Sequence, residues 1–250
     1  MKKILSNLLI IISFCSFCYF AYNIYNYITD EKEQKKINDG IIDEAVKKVE
    51  KTDEDKKNND TDNNPLIIDF QTLKEKNSDI IAWLYSEGTP INYPIVQTTN
   101  NDYYLRRLID GTYNQAGTIF MDYKNSNDFS DPNTIIYGHN MKNDSMFGSL
   151  TKYEEQNYYD EHKEMFLYTE NKKFKIKIFA GFITSSESDI YGYPKTSNTN
   201  KKLIDNAIKK STFISDVDVS CEDKIITLST CSYNFENARY ILLGVLKELE

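Results

Sequence analysis

The hydrophobic pattern divides the chain into three stretches. Residues 4–28 carry no charged side chain, and an apolar run of about 25 residues is long enough to cross a hydrocarbon core as a helix. Residues 30–64 are dominated by Lys, Asp, Glu and Asn. Ile37, Ile42, Val46 and Val49 space a weak amphipathic helix there, while residues 51–64 are almost wholly polar and read as solvated spacer. From Pro65 onward the apolar positions are dense enough for a single core. The expected organisation is an anchor at 1–29, a spacer at 30–64 that gives the domain reach, and one domain at 65–250.

Inside that domain the pattern is mostly of period two. Asp69 ahead of Phe70 and Leu73 predicts a short capped helix. Short strands follow at 80–85, 93–96, 117–121, 133–137 and 165–169, separated by Gly, Pro, Asn and Asp. Residues 172–179 alternate, turning Phe174, Ile176 and Ile178 inward and Lys173, Lys175 and Lys177 to water. Runs at 223–230 and 239–246 predict a hairpin, and the whole series predicts a closed or sandwiched antiparallel sheet. Two insertions carry helices. One spans 146–164, and the other, at 200–210, sets Leu203, Ile204, Ala207 and Ile208 on one face.

Charge narrows the partners. A net charge of −8 argues against polyanions, and the mixed signs of 30–64 argue against a nucleic-acid arm. Lys2 and Lys3 before the apolar run put the N-terminus in the cytoplasm and the domain outside, and Tyr19, Tyr22, Tyr25 and Tyr27 suit an interfacial belt. The competing reading is a cleaved signal peptide, but no small-x-small site follows the run. Two isolated histidines and scattered carboxylates have no metal-ligand spacing, so no metal or cofactor is expected.

The candidate chemistry sits at the hairpin. Cys231 ends one strand and Arg239 begins its partner, which makes a thiol and a fixed cation neighbours. His139 follows an apolar strand and a glycine at the open end of a sheet, whereas His162 lies in a polar helical stretch, so His139 is the candidate base. The plainer readings are a buried, inert Cys231 and an Arg239 that pairs with Glu236 or Asp218 at the surface. A Cys221–Cys231 disulfide is excluded if 223–230 is extended, because the Cα atoms would then lie about 30 Å apart where less than about 7 Å is needed. Cys15 and Cys18 lie in the apolar segment, also out of reach.

Thr227-Leu228-Ser229-Thr230-Cys231, with His139 upstream and Arg239 downstream, resembles the signature of sortases, the membrane-anchored cysteine transpeptidases of Gram-positive bacteria. Tyr104-Leu105, the run 117–123, Tyr137-Gly138-His139-Asn140-Met141, Met146-Phe147 and Ser232-Tyr233 resemble class B in particular. The resemblance covers roughly residues 66–250. It implies a mainly β fold: an eight-stranded closed barrel with an N-terminal helix and a helix in the long loop before the Cys strand. It also implies cleavage of a C-terminal sorting signal, of Asn-Pro-x-Thr or Leu-Pro-x-Thr-Gly type, after Thr. The acyl group would pass through a thioacyl-enzyme to a peptidoglycan amine.

The roles follow from general chemistry. Cys231 is the expected nucleophile, His139 the proton donor and acceptor, and Arg239 the donor to an oxyanion or substrate carbonyl. Ser229 shares the Cys231 face of its strand and, with Thr230, is the expected substrate contact. Three rival functions stay open on sequence alone: a hydrolytic cysteine protease, a pilin-polymerising sortase and a catalytically silent wall-binding module.

Overall fold

A computed structural model describes residues 2–49, 65–192 and 197–249 of the chain. The elements run α1 (Lys2–Ala45), β1 (Val46–Lys48), β2 (Leu66–Ile68), α2 (Phe70–Lys76), β3 (Ile80–Tyr85), β4 (Asn92–Val96), β5 (Phe120–Met121) and β6 (Asn133–Tyr137). After them come α3 (Gln156–Glu161), β7 (Glu164–Tyr168), β8 (Lys173–Ser185), α4 (Ser197–Lys210), β9 (Ile225–Cys231) and β10 (Ala238–Glu248). Strands β3 to β10 close into an eight-stranded barrel in the order β10-β8-β7-β3-β4-β5-β6-β9.

The local signals in the sequence explain most of these elements. The Asp69 carboxylate accepts from the Thr72 amide at 3.1 Å and caps α2. Along β8, Phe174, Ile176 and Ile178 are buried inside the barrel with Ile226, Leu228 and Leu242. From Phe179 onward β8 is buried on both faces, because Phe179 and Phe182 lie under α4 against Leu203, Ile204 and Ala207. That second layer replaces the alternation with a continuous apolar run. Ile208 departs from the expected α4 face and is 52% exposed. The buried stripe is Asn200, Leu203, Ile204 and Ala207, at i, i+3, i+4 and i+7, and Ile208 falls past its edge. Strand β5 is shorter than expected because Gly117 adopts φ +59°, outside the extended region.

The largest difference concerns the stretch read as spacer. Residues 30–45 continue α1 without a break, and β1 pairs antiparallel with β2. Gln34, Ile41 and Ala45 are buried, the last two against Leu66, Phe70, Leu73 and Trp83. Composition understated this helix because most of its charged residues lie on the outer face, apart from Asp30 and Glu33, which bond Asn114 and Gln115, and the narrow apolar stripe is stabilised by burial against the barrel. The polar run at 51–64 lies outside the described residues. Ile41→Ala should lower the unfolding free energy by about 2–5 kcal/mol, as loss of a packed aliphatic side chain does. A chain truncated to begin at Pro65 should lose at least as much. Equilibrium denaturation checks both, and an unchanged midpoint for either would mean that α1 contributes nothing to the core.

Candidate active site

Three neighbouring strand ends converge at one mouth of the barrel. In the β9–β10 pair Cys231 lies directly opposite Arg239, and Ser232 N–H to Ala238 C=O closes the hairpin at 2.9 Å. On its other side β9 runs parallel to β6, with Tyr137 abreast of Ser229. The Gly138 amide extends that ladder to the Ser229 carbonyl at 3.1 Å. Beyond that point the chain leaves β6, but Asn140 Nδ2 donates to the Cys231 carbonyl at 2.8 Å and so holds the segment carrying His139 against the end of β9. Arg239 on β10 and the loop carrying His139 after β6 thus approach the Cys231 end of β9 from its two sides.

Alternation decides which face each side chain uses. Ile226, Leu228, Tyr240 and Leu242 point into the barrel, while Ile225, Ile241 and Leu243 point outward beneath α4. Cys231, Ser229 and Arg239 share the outward set. Thr230 belongs to the interior set, is 2% exposed, and its hydroxyl has no partner among the described residues. Any substrate contact at Thr230 thus has to come through its backbone.

His139 is held by the chain ahead of β5. Its Nε2 lies 2.7 Å from the Leu105 carbonyl. A carbonyl only accepts, so Nε2 carries the proton and the neutral ring keeps its lone pair on Nδ1. Burial, followed by the positive charges of Arg106 and Arg239, pulls the His139 pKa below its usual value, while the Leu105 bond pulls the other way. Protonation is therefore disfavoured in the fold. By the same sign, the stability associated with neutral His139 is complete above the ordinary pKa of about 6.5 and is lost as pH falls below it. Arg106→Gln should move the imidazole titration upward, read from its ring-proton shift by NMR. A midpoint that stays put or falls would show that Arg106 does not act on the ring.

The acceptor loop is itself tightly seated. A Cβ on Gly117 would lie 2.7 Å from both the Leu105 and Tyr104 carbonyl oxygens, and the Thr118 amide bonds the Tyr104 carbonyl at 3.0 Å. Gly117→Ala must therefore push the Leu105 carbonyl away from His139, on a backbone that also disfavours a side chain. Turnover should fall about 10²-fold, the scale of an ångström-sized misplacement, with the barrel still folded. Steady-state kinetics beside circular dichroism checks this, and full activity would detach the Leu105 bond from function.

Tyr191, in the connection between β8 and α4, has no signal in the sequence. Its hydroxyl lies 2.8 Å from Ser229 Oγ, and its ring stacks on Tyr137 at 6.3 Å. Burial holds that hydroxyl above its usual pKa, against the bond to Ser229 and the charge of Arg239, so it stays protonated. Arg239 itself donates to the Ala238 carbonyl at 2.9 Å. Among the described residues no carboxylate comes within ion-pairing range of it, Glu236 and Asp218 included.

The other candidates lie apart. His162 caps the C-terminus of α3, its Nδ1 2.9 Å from the Tyr158 carbonyl. All four cysteines are free, and Cys221 precedes β9 at the end remote from Cys231.

A sortase-domain family model matches residues 84–247. Sortase B of Listeria monocytogenes is 37% identical over 190 residues, covering 74% of this chain and 76% of that protein. The Staphylococcus aureus sortase B–substrate complex superposes with a TM-score of 0.69 at 29% identity, covering 72% of this chain and 85% of the other. Sortase B has also been solved in complex with triglycine, and that structure superposes with the same TM-score of 0.69 at 29% identity, covering 72% of this chain and 86% of the other. Sortase B from B.anthracis gives a TM-score of 0.74 at 28% identity, covering 89% of this chain and 100% of the other.

Proposed function

The chain belongs to the sortase family of cysteine transpeptidases, and from that premise we propose how its own residues carry the reaction. Cys231, as thiolate, attacks the carbonyl carbon of the scissile peptide bond. The resulting oxyanion takes hydrogen bonds from the Arg239 guanidinium, which is free of any competing carboxylate among the described residues. The lowered His139 pKa confines this reaction to the minority of molecules that carry imidazolium His139 beside thiolate Cys231; in these, as the tetrahedral intermediate collapses, the C–N bond breaks and His139 gives its proton to the departing amine. That leaves a thioester on Cys231 and a neutral imidazole. An incoming amine then adds to the thioester carbonyl and passes a proton to His139. The C–S bond breaks, and the product amide leaves with thiolate and imidazolium restored. Atoms and charge balance over the cycle.

The observation that carries this reading is the pairing of Cys231 with Arg239 across β9–β10 and the anchoring of the loop bearing His139 to the Cys231 carbonyl through Asn140. The substrate is a sorting signal on an exported protein, of Asn-Pro-x-Thr or Leu-Pro-x-Thr-Gly type, cut after Thr. It lies along the outer face past Ser229 and Tyr191. The acceptor is a peptidoglycan amine; the triglycine complex of the related sortase B favours a glycine α-amine. The apolar part of α1 is a membrane span with the N-terminus inside and the barrel outside.

Incubating the protein with peptides of both signal types and recording intact mass tests the proposal. The expected result is a thioacyl adduct on Cys231 that disappears, with formation of a new amide, when triglycine is added. Release of free acid alone, unaffected by amine, would instead establish a hydrolase.

A further inference from the structure

The apolar segment of α1 and the segment that packs on the barrel are one continuous helix, and this fixes where the site stands. Described side chains of α1 are exposed through Tyr25, and burial begins at Asn26 and Tyr27. The free part from residue 4 to residue 25 is about 33 Å long at about 1.5 Å per residue, close to the roughly 30 Å of a hydrocarbon core. Nothing is left over between bilayer and barrel. Asp30 already receives Asn114 Nδ2 on its carbonyl at 3.0 Å and the Gln115 amide on its carboxylate at 3.3 Å. The Tyr27 hydroxyl accepts from the Lys142 amide at 3.2 Å.

These contacts reach the two loops that hold the site. Asn114 N–H bonds the Arg106 carbonyl, one residue past the Leu105 carbonyl that fixes His139. Lys142 is three residues past His139, and Tyr233, two residues past Cys231, lies beside Asn140 and within electrostatic reach of Tyr27. The other end of the packed segment, at Ala45, joins Leu66, Tyr168 and Leu249 at the far mouth of the barrel. The segment from Asp30 to Ala45 is about 22 Å long, so the mouth bearing Cys231 faces the bilayer and the other faces away.

The rim of the near mouth has the composition of an interfacial surface. Tyr113, Tyr233 and Phe235 are 67%, 77% and 50% exposed, and Arg106 and Lys142 are exposed cations beside them. Amphipathic aromatics and basic side chains are the groups that settle at the headgroup layer. Resting on the proposed span, we propose that the Cys231 mouth sits against the outer headgroup layer, with Tyr233 and Phe235 dipping into it and Arg106 and Lys142 facing anionic lipid. Substrate and acceptor then enter along the membrane plane, and residues 30–48 act as a rigid mount in place of a flexible tether.

The test uses the full chain in vesicles of equal parts phosphatidylcholine brominated high on the acyl chain and phosphatidylglycerol. The one native tryptophan, Trp83, is buried and sets the baseline. Flotation first reports the span. Phe235→Trp and, independently, Tyr233→Trp should lose emission to the bromolipid and shift to the blue. Glu170→Trp, in the exposed turn between β7 and β8 at the far mouth, should do neither. A chain that floats without quenching at 233 or 235 overturns the apposition and leaves the span standing. Equal quenching at 170 overturns it by showing a barrel lying on its side, and failure to float removes the span and the apposition together. None of these readings depends on catalysis, so none is confused with a failure of the transpeptidase assignment.

Discussion

Cys231→Ala should abolish both cleavage and transfer, a loss of about 10⁶-fold of the kind that follows removal of a covalent nucleophile. The same change at Cys221 should leave turnover within about twofold, because Cys221 precedes the opposite end of β9, remote from His139 and Arg239, where its neighbours are Asn200 and Glu222. His139→Gln should approach the Cys231 value, since a neutral amide can neither give nor take the proton. Steady-state cleavage of a signal peptide, with unfolding midpoints for all three variants, makes the comparison. Similar losses at Cys221 and Cys231 in folded proteins would remove Cys231 from the chemistry. So would a thioacyl adduct that persists in Cys231→Ala.

What the sequence disclosed and what it hid follow from the range of the interactions involved. The Cys231–Arg239 neighbourhood was legible because a hairpin is local: two apolar strands and a short connection leave one natural register. The alternation of β8 was legible for the same reason, up to the point where α4 adds a second layer. The approach of His139 to Cys231 had no such local signal. It depends on parallel pairing of β6 with β9, elements whose contact residues Asn140 and Cys231 lie 91 positions apart, and only the family resemblance joined them. Tyr191 was hidden because it arrives from a long connection whose composition marks nothing. The packed half of α1 was obscured for a different reason. Ile37, Ile42 and Val46 of the visible stripe do pack, half-buried, against this core, but Val49 is exposed and the most buried positions are Gln34, Ile41 and Ala45. A polar residue and an alanine carry little hydrophobic signal, although both pack well where a helix lies close to a barrel wall.

Arg239→Lys separates an oxyanion donor from a surface cation. The positive charge survives this change, but the planar fork with its several donors is replaced by one tetrahedral ammonium on a flexible stem. If the guanidinium stabilises charge that develops on the carbonyl oxygen, turnover should fall about 10²- to 10³-fold, the usual cost of losing one such donor. Because that charge appears only in the transition state, the loss should fall on kcat and kcat/KM alike, with KM little moved. Stability should hardly change, since the side chain makes no ion pair among the described residues and its one bond goes to the neighbouring Ala238 carbonyl. A second readout guards against a change that acts through His139. Arg239 is one of the two charges that lower the imidazole pKa, and Lys keeps that charge, so the titration of His139 should stay near its wild-type midpoint while turnover collapses. Near-normal turnover in Arg239→Lys would reduce Arg239 to a general electrostatic influence, and a rise in KM with kcat unchanged would make it a ground-state substrate contact.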